Sequence, residues 1–233
     1  DEIIHEPLAE PNDPSRKISR MEESSWESHD SRTQLTVIAC PTNRGYAAGN
    51  NIGLRYAMES HMPDYYLILN NDTLVGKGFL KEMIKVAEMD SEFGALGPEI
   101  HDCDNPERIA VVRKSDFDLW TGGFGLFGPT TSESIKSSFC AVGWLSGCCL
   151  LVRNDTIRRV GFLDERYFLY SEDTDWCIRI RRAGLKLIYV PSATICHRAA
   201  TSRTRPLSYY YFARNLFLLE KRFASSHQLL FFV

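Results

Sequence analysis

Residues 65–72 read Tyr-Tyr-Leu-Ile-Leu-Asn-Asn-Asp, an apolar run that ends abruptly in three polar residues. A short apolar run bounded by turn-forming residues predicts a buried β-strand. In open α/β sheets ligands bind at the carboxyl edge, where Asn70, Asn71 and Asp72 would then lie. Carboxylate and carbonyl oxygens are the ligands that Mg²⁺ and Mn²⁺ prefer, often together with substrate phosphates. A simple turn after a strand is the alternative, because Asn and Asp favour turns in any protein.

The overall composition is that of a globular domain. The 233 residues have a formal net charge of −3, with 44% hydrophobic and 24% charged residues, and such values are ordinary for globular chains. A negative net charge argues against a protein that binds nucleic acid electrostatically. The seven cysteines include no Cys-x-x-Cys pair. We therefore expect neither a zinc ribbon nor a secreted disulfide framework, and a reducing compartment is the better interpretation.

The chain divides into a polar front and a patterned remainder. Residues 1–33 are polar and rich in proline, which predicts a surface loop or insertion without a core of its own. Residues 34–233 alternate between strand and helix patterns, which predicts one layered α/β domain. Because the sequence starts at Asp1 and stops within an apolar pattern, we expect it to be part of a longer protein. The predicted strands are at 34–39, 65–69, 95–98, 148–152 and 185–190, followed by a turn at Pro191 and a further short segment at 193–197. The predicted helices are at about 50–59, 78–89, 155–160, 172–183 and 207–223.

A second polar cluster opens the predicted helix at 172–183. Glu172, Asp173 and Asp175 stand in its first turn, directly after the aromatic run at 167–170. Acidic residues in a first helical turn are often only caps that complement the helix dipole. The aromatic run at 167–170 favours a second interpretation, in which these acids lie in an apolar environment. Burial raises the pKa of a carboxyl group and makes it a better general base.

Several further features are ambiguous by themselves. His197 follows an apolar segment and is either an ordinary surface histidine or, with Asp72, a second metal ligand. Trp144 precedes a Ser-Gly turn, and is either a core residue or the floor of a sugar site. The glycine-containing loop at 43–51 has a pattern that many helix-entry loops share. The Arg-Asn pair at 214–215 suggests a solvated pair on the last helix.

Taken in order, these motifs resemble those of the inverting family 2 glycosyltransferases, especially the bacterial rhamnosyltransferase-like branch. The matching pieces, from about residue 35 to 224, are Asn43-x-Gly45-Tyr46-x-x-Gly49-Asn50-Asn51, Leu69-Asn70-Asn71-Asp72, Trp144-Leu145-Ser146-Gly147, Phe162-Leu163-Asp164-Glu165, Phe168-x-Tyr170-x-Glu172-Asp173-x-Asp175, His197 and Tyr211-x-x-Arg214-Asn215. The resemblance implies the GT-A fold, a mixed central α/β sheet flanked by helices, here without its first strands. It also implies metal-dependent sugar transfer from a nucleotide-diphosphate sugar, with dTDP-rhamnose as a candidate donor, to a cell-surface glycan or a lipid-linked acceptor.

The resemblance also implies roles for individual residues. Asp173 corresponds to the general base, supported by Glu172. Asp72 and His197 correspond to ligands of a divalent Mn²⁺ or Mg²⁺ ion. At position 70 the chain departs from the family's Asp-x-Asp motif, because the neutral Asn70 stands where a carboxylate is expected. The residues expected to contact the acceptor are Trp144 and Asp175, and those expected to contact the donor are Asn43, Gly45, Gly49, Asn50, Asn70, Asn71 and Asp72.

Two other functional classes stay open from the sequence. One is a catalytically inactive glycosyltransferase-like domain that binds a sugar nucleotide or a partner, which the neutral Asn70 and the missing first strands would fit. The other is a nucleotidyltransferase, although the sequence has no glycine-rich activating loop with a lysine. For an active enzyme, we expect a cytoplasmic location with peripheral contact at the inner face of the plasma membrane. The 233-residue chain alone is expected to bind donor poorly.

Overall fold

The computed structural model describes residues 35–107, 109, 117–124, 139–198 and 205–232. The chain forms two compact units, Asp1–Arg44 and Gly45–Val233. Residues 35–44 of the first unit form no helix or strand, so the strand expected at 34–39 is not present at 35–39. The polar segment predicted at 1–33 lies outside the described residues.

A mixed six-stranded sheet forms the centre of the second unit. The strands are β1 (Tyr65–Leu69), β2 (Thr73–Val75), β3 (Phe93–Asp102), β4 (Phe117–Asp118), β5 (Gly123–Phe124), β6 (Cys140–Val142), β7 (Cys149–Arg153) and β8 (Lys186–His197). The order across the sheet is β1-β7-β3-β8-β2, with β6 also pairing with β8, while β4 and β5 form a separate ribbon. The β3–β8 pair is parallel, and the other pairs are antiparallel.

Helices flank this sheet, and most of them lie where the sequence predicts. They are α1 (Tyr46–Ser60), α2 (Phe79–Ala87), α3 (Asn154–Val160), α4 (Glu172–Arg182), α5 (Arg205–Phe223) and α6 (Ser226–Phe232). There are two differences: α1 begins four residues before the predicted start at 50, and α6 was not predicted. Within the described part of the chain, no helix is long and apolar enough to cross a membrane.

Both faces of the sheet are buried, which explains the continuous apolar runs of its strands. Successive side chains of a strand point to opposite faces. In β1, Tyr66 and Ile68 therefore join the cluster around Trp176, whereas Tyr65 and Leu67 pack against the cluster on the other face.

β8 also differs from its prediction, because the turn expected at Pro191 is a bulge within this strand. Pro98 and Glu99 are adjacent on β3, but their partners on β8 are Val190 and Thr194. The three residues 191–193 of β8 therefore have no partner on β3. Proline has no N–H for a sheet hydrogen bond and is tolerated at such bulges. The predicted strand at 185–190 and the short segment at 193–197 are thus one element.

The ends of these strands bring the polar motifs to one edge of the sheet. The N–H of Asn70 donates to the carbonyl of Cys148 at 2.9 Å, which extends the pairing of β1 with β7 by one residue. Thr73 of β2 pairs with His197 of β8. The Asn-Asn-Asp turn therefore lies beside His197, as the interpretation of a sheet-edge site requires.

Gly45 shows why a glycine precedes α1. Its φ of 88° lies in the left-handed region, and the N–H of the next residue, Tyr46, donates to the carbonyl of Phe168 at 2.9 Å. A Cβ on Gly45 would lie 2.3 Å from the Phe168 carbonyl oxygen. No side chain fits there, because the neighbouring atoms belong to the backbone.

We predict that Gly45→Ala lowers the free energy of unfolding by about 1–3 kcal/mol, through left-handed strain, with a further loss from the clash. The matched control is Gly53→Ala in α1, where a Cβ meets nothing within 4 Å. This change should be neutral or stabilise the helix by about 0.5–1 kcal/mol. Urea unfolding of both variants makes the comparison, and equal stability of the two would contradict the packing explanation.

Candidate active site

The first turn of α4 presents two adjacent carboxylates. Glu172 is buried, with 6% of its surface exposed, and Asp173 is partly buried. The preceding residues Tyr170 and Ser171 both have left-handed backbones, with φ of 68° and 70°. Such angles are uncommon outside glycine, and two in succession indicate a turn that is held by its surroundings.

Backbone and side-chain donors fix the carboxylate of Asp173. The N–H of Gly147 donates to Asp173 Oδ2 at 3.0 Å, and the N–H of Thr174 donates to Oδ1 at 2.7 Å. The hydroxyl of Tyr46 donates in turn to the carbonyl of Gly147. The loop before β7 therefore joins the starts of α1 and α4, and Asp173 is held at that junction.

The surroundings raise the pKa of both carboxyl groups. Burial, followed by the charge of Asp173, raises the pKa of Glu172 to about 8. Loss of solvation also raises the pKa of Asp173, while hydrogen bonds from Gly147, Thr174 and Trp144 oppose the rise. Oε2 of Glu172 is buried and has no hydrogen-bond partner. The backbone donors favour the anionic form of Asp173, whereas burial without a partner on Oε2 favours the neutral form of Glu172.

A second polar group lies at the ends of β1 and β8. His197 Nε2 is 3.1 Å from Asp72 Oδ1 and 3.4 Å from Asn70 Nδ2. The Asp72 Oδ1 atom is buried, and its approach to His197 does not have hydrogen-bond geometry. A carboxylate oxygen and an imidazole nitrogen that face each other without a hydrogen bond suit a shared cation.

These side chains fit a divalent metal ion only in part. In the described ranges, no cluster of three His, Cys, Asp or Glu side chains could hold a metal ion by itself. Asp72 and His197 would supply two ligands, and Asn70 could add its amide oxygen after rotation of the amide, whose O and N positions are an assignment. The remaining ligands would have to be water or phosphate oxygens, as is usual for Mg²⁺.

Cys148 links the two polar groups. Burial raises the pKa of its thiol to about 11, a hydrogen bond from Ser146 opposes the rise, and the charges of Asp173 and Asp72 add to it. Both carboxylates thus act on the same buried residue. The hydrogen bonds agree, because the Gly147 N–H donates to Asp173 and the carbonyl of the next residue, Cys148, accepts the N–H of Asn70. The structure therefore brings the two groups, predicted independently along the sequence, to the same short loop.

Other predicted site residues occupy structural positions. Asp175 is fully buried, and its two oxygens accept hydrogen bonds from Arg179 Nε and Arg222 Nη1, each at 2.6 Å. A contact with the acceptor therefore needs these ion pairs to open, and the predicted role has no support in this geometry. Trp144 is partly buried and packs against the main core cluster, so it is a core residue at least in part.

The residues predicted to contact the donor have different environments in the structure. Asn50 Nδ2 donates to the carbonyl of Tyr46 at 2.9 Å, so its amide closes the first turn of α1. A Cβ on Gly49 would meet nothing within 4 Å, and Asn71 is exposed in the turn after β1. Asn43 belongs to the first compact unit. The donor contacts predicted for these residues, and for Gly45, stay predictions.

Two features near the site were not predicted from the sequence. Cys103 and Cys196 form a disulfide across 93 residues, one residue before His197, although the cysteine pattern predicted a reducing compartment. No spacing motif connects such distant cysteines. The second feature is Asn215, predicted as half of a solvated pair, which is fully buried. Its partners are backbone carbonyls elsewhere in the chain, which no local pattern reveals.

Comparison with known proteins gives the family of this arrangement. The family model described as "Glycosyl transferase family group 2" matches residues 65–232. An N-acetylglucosaminyl-diphospho-decaprenol L-rhamnosyltransferase of Mycobacterium tuberculosis is 32% identical over 202 residues, covering 76% of this chain and 66% of that protein. Rhamnosyltransferase WbbL of Escherichia coli is 32% identical over 165 residues, covering 66% and 61%. The chain thus spans just under two thirds of the length of these curated relatives.

A solved structure supports the fold. The crystal structure of GalNAc-T7 with UDP, GalNAc and Mn²⁺ superposes with a TM-score of 0.50 at 16% identity, covering 66% of this chain and 30% of that one. With the mixed sheet and its flanking helices, this likeness confirms the predicted α/β GT-A fold. The predicted resemblance to family 2 rhamnosyltransferases is also confirmed.

The raised pKa of Glu172 predicts a pH-dependent effect of Glu172→Gln on stability. Between the ordinary value of 4.5 and about 8, the unfolded chain loses this proton while the folded chain keeps it. The wild type therefore loses stability as pH rises through this range, whereas glutamine does not titrate. Relative to the wild type, the variant should gain stability between about pH 5 and pH 8.

Urea unfolding at both pH values measures this gain. Glu59→Gln, which neutralises an exposed glutamate of α1, is the control for removing one charge. A stability difference between Glu172→Gln and the wild type that is the same at both pH values would contradict the assignment.

Proposed function

The chain belongs to glycosyl transferase family group 2, and we propose that it carries the catalytic centre of an enzyme that transfers a hexose from a nucleotide-diphosphate sugar. The candidate sugar is rhamnose, because two relatives are named rhamnosyltransferases. The candidate acceptor is a lipid-linked or cell-surface glycan, since the name of one relative specifies N-acetylglucosaminyl-diphospho-decaprenol. The observation that carries the proposal is that the adjacent residues Gly147 and Cys148 connect the two polar groups: the Gly147 N–H donates to Asp173, and the Cys148 carbonyl accepts the N–H of Asn70, beside Asp72 and His197.

In this proposal Asp173 is the general base. It accepts the proton of the acceptor hydroxyl, whose oxygen attacks the anomeric carbon of the donor. The new bond joins that oxygen to the anomeric carbon, the bond to the diphosphate breaks, and the nucleoside diphosphate leaves with the bonding electrons. A single displacement inverts the anomeric configuration. Glu172 keeps its own proton, which lowers the repulsion that a second anion would impose on Asp173.

The group at the ends of β1 and β8 would hold the diphosphate. Asp72 and His197 would bind a divalent cation, with Asn70 beside them. Such a cation stabilises the negative charge that develops on a departing phosphate. The unsatisfied Asp72 Oδ1 next to His197 supports this fit, and the structural neighbour was crystallised with Mn²⁺. The absence of a third acidic or histidine ligand in the described ranges suggests that tight binding needs the donor as well.

An aromatic surface on α5 supports peripheral contact with a membrane. Tyr209, Tyr210, Phe212 and Phe217 are each more than half exposed, and the exposed Lys221 follows in the last turn. Aromatic and basic residues on one helix suit the interface of a lipid bilayer. A lipid-linked acceptor at the inner face of the plasma membrane would then meet the enzyme on this side.

The general-base role predicts that Asp173→Asn lowers turnover by ~10²–10⁴-fold, which is the usual contribution of such catalysis. Donor affinity should change little, because the proposed ligands of the donor diphosphate are at Asp72 and His197 rather than at Asp173. Nucleoside diphosphate release by the full-length protein measures turnover, and calorimetry measures donor affinity. Asp155→Asn, on an exposed residue at the start of α3, is the control. Near-normal turnover in Asp173→Asn would remove the assignment.

Two further results decide between the functional classes. Inversion of the anomeric configuration, seen by NMR of the product, is expected for a single displacement, and retention would contradict it. Donor binding by the full-length wild type without any nucleoside diphosphate release, across donors and acceptors, would favour the inactive binding domain instead.

The proposed metal site predicts that Asp72→Asn and His197→Ala remove the Mn²⁺-dependent part of donor binding. The physical reason is that each variant loses one of the two strong protein ligands, and the donor diphosphate alone cannot hold the ion in place. Calorimetric titration of donor with and without Mn²⁺ makes the measurement. His61→Gln, at an exposed histidine after α1, is the matched control. Full wild-type activity in excess chelator would sink this site.

A further inference from the structure

Asn215 on α5 makes two hydrogen bonds to the segment that precedes the catalytic pair. Its side chain is fully buried, and Nδ2 donates to the carbonyls of Leu169 and Tyr170, both at 2.7 Å. Both donor positions of the amide are therefore used on two successive carbonyls. A buried amide with this geometry holds the backbone rather than binding solvent.

The orientation of this amide is determined by its neighbours. Its Oδ1 accepts a hydrogen bond from Arg214 Nη1 at 2.8 Å, and the same nitrogen donates to the carbonyl of Arg166 at 3.0 Å. In the opposite orientation, the amide oxygen of Asn215 would face two carbonyl oxygens. The donors of Asn215 must therefore point to the Leu169–Tyr170 backbone.

The segment held in this way has a backbone that needs support. Tyr170 and Ser171 both adopt left-handed φ values, which non-glycine residues avoid. The carbonyl of Ser171 then accepts the N–H of Asp175 at 2.9 Å, which starts α4. Glu172 and Asp173 follow directly, so the direction of their side chains depends on this turn.

Two more residues on the same face of α5 contact the segment. The ring of Tyr211 stacks on Phe168 with centroids 5.0 Å apart, and the Ser208 hydroxyl lies 3.2 Å from the Tyr170 hydroxyl. Residues spaced by three and four along a helix lie on one face. One face of α5 therefore contacts residues 168–170, which lead into α4. Asn215 is the fully buried residue of this face.

We propose that Asn215 is a positioning residue, which fixes the left-handed turn at Tyr170–Ser171 and thereby directs Glu172 and Asp173 into the active site. The effect on turnover rests on the function proposed above, whereas the effect on the turn does not. Asn215 touches neither carboxylate in this account. It acts through the backbone, so its loss changes the catalytic step more than the binding of donor.

The test compares Asn215→Asp and Asn215→Ala with Thr156→Val in the full-length protein. Asn215→Asp keeps the size of the side chain and removes both donors. Thr156 of α3 is buried at 2% exposure and donates to the carbonyl of Gly94 on β3 at 2.9 Å. Thr156→Val therefore loses a buried hydrogen bond to a carbonyl outside the active site.

We expect both Asn215 variants to lower kcat by ~10- to 100-fold, the effect of a small misplacement of reacting groups, with donor KM within about twofold. Their pH–rate profiles should shift, because Glu172 and Asp173 leave the surroundings that raise their pKa values. Amide hydrogen exchange at residues 167–175 should become faster. Thr156→Val should keep the wild-type kcat, pH profile and exchange rates in this segment.

The exchange measurement separates this proposal from the proposed function. If the wild type transfers no sugar, the proposed function fails, and faster exchange at 167–175 in the Asn215 variants still supports the positioning role. Unchanged exchange there would overturn it whatever the activity. A kcat loss in Thr156→Val equal to that in the Asn215 variants, or unfolding of both Asn215 variants, would also overturn it in favour of a purely structural role.

Discussion

The hydrogen bond from the Gly147 N–H to Asp173 Oδ2, at 3.0 Å, connects the sheet to the first turn of α4. The carbonyl of the same residue accepts the Tyr46 hydroxyl, so one peptide segment orders the starts of two helices. The N–H also stabilises the anionic form of Asp173. Glu172, which has no comparable donor on Oε2, takes the proton of the pair. The division of roles between the two acids therefore follows from where one backbone donor points.

This arrangement places Glu172, a buried carboxyl group with no hydrogen-bond partner on Oε2, at the start of α4. A buried carboxyl group without a partner destabilises the folded state once it ionises. The helix that carries it is anchored by the fully buried Asp175, whose oxygens contact Arg179 and Arg222. Removing one partner of such a buried ion pair is strongly destabilising, because the other charge is left without compensation. Asp175 therefore supports the site from behind, and its predicted contact with the acceptor is not needed to explain its burial.

The sequence predicts those parts of the structure that depend on local pattern. β1 was predictable because its apolar run ends in the Asn-Asn-Asp turn, and α4 because its acidic first turn follows an aromatic segment. The bulge at Pro191 was not, since a proline after a strand usually means a turn. The hydrogen bonds from Asn215 to the Leu169–Tyr170 backbone and the Cys103–Cys196 disulfide were also not predicted, because each depends on a contact between distant segments. The effect of the neutral Asn70 on metal binding stays a prediction, since it depends on ligands that a metal ion and a donor would bring.

The most direct test of the central claim, that a coupled carboxylate pair is the catalytic base, is the pH dependence of the transfer rate constant in single-turnover experiments with the full-length protein. The structure predicts a rate constant that falls as pH decreases, with an apparent pKa clearly above the ordinary carboxylate value of ~4. This apparent pKa belongs to the pair, so it should move when Glu172 is replaced by glutamine. A rate constant independent of pH down to about 4.5, or an apparent pKa unaffected by that substitution, would contradict the account.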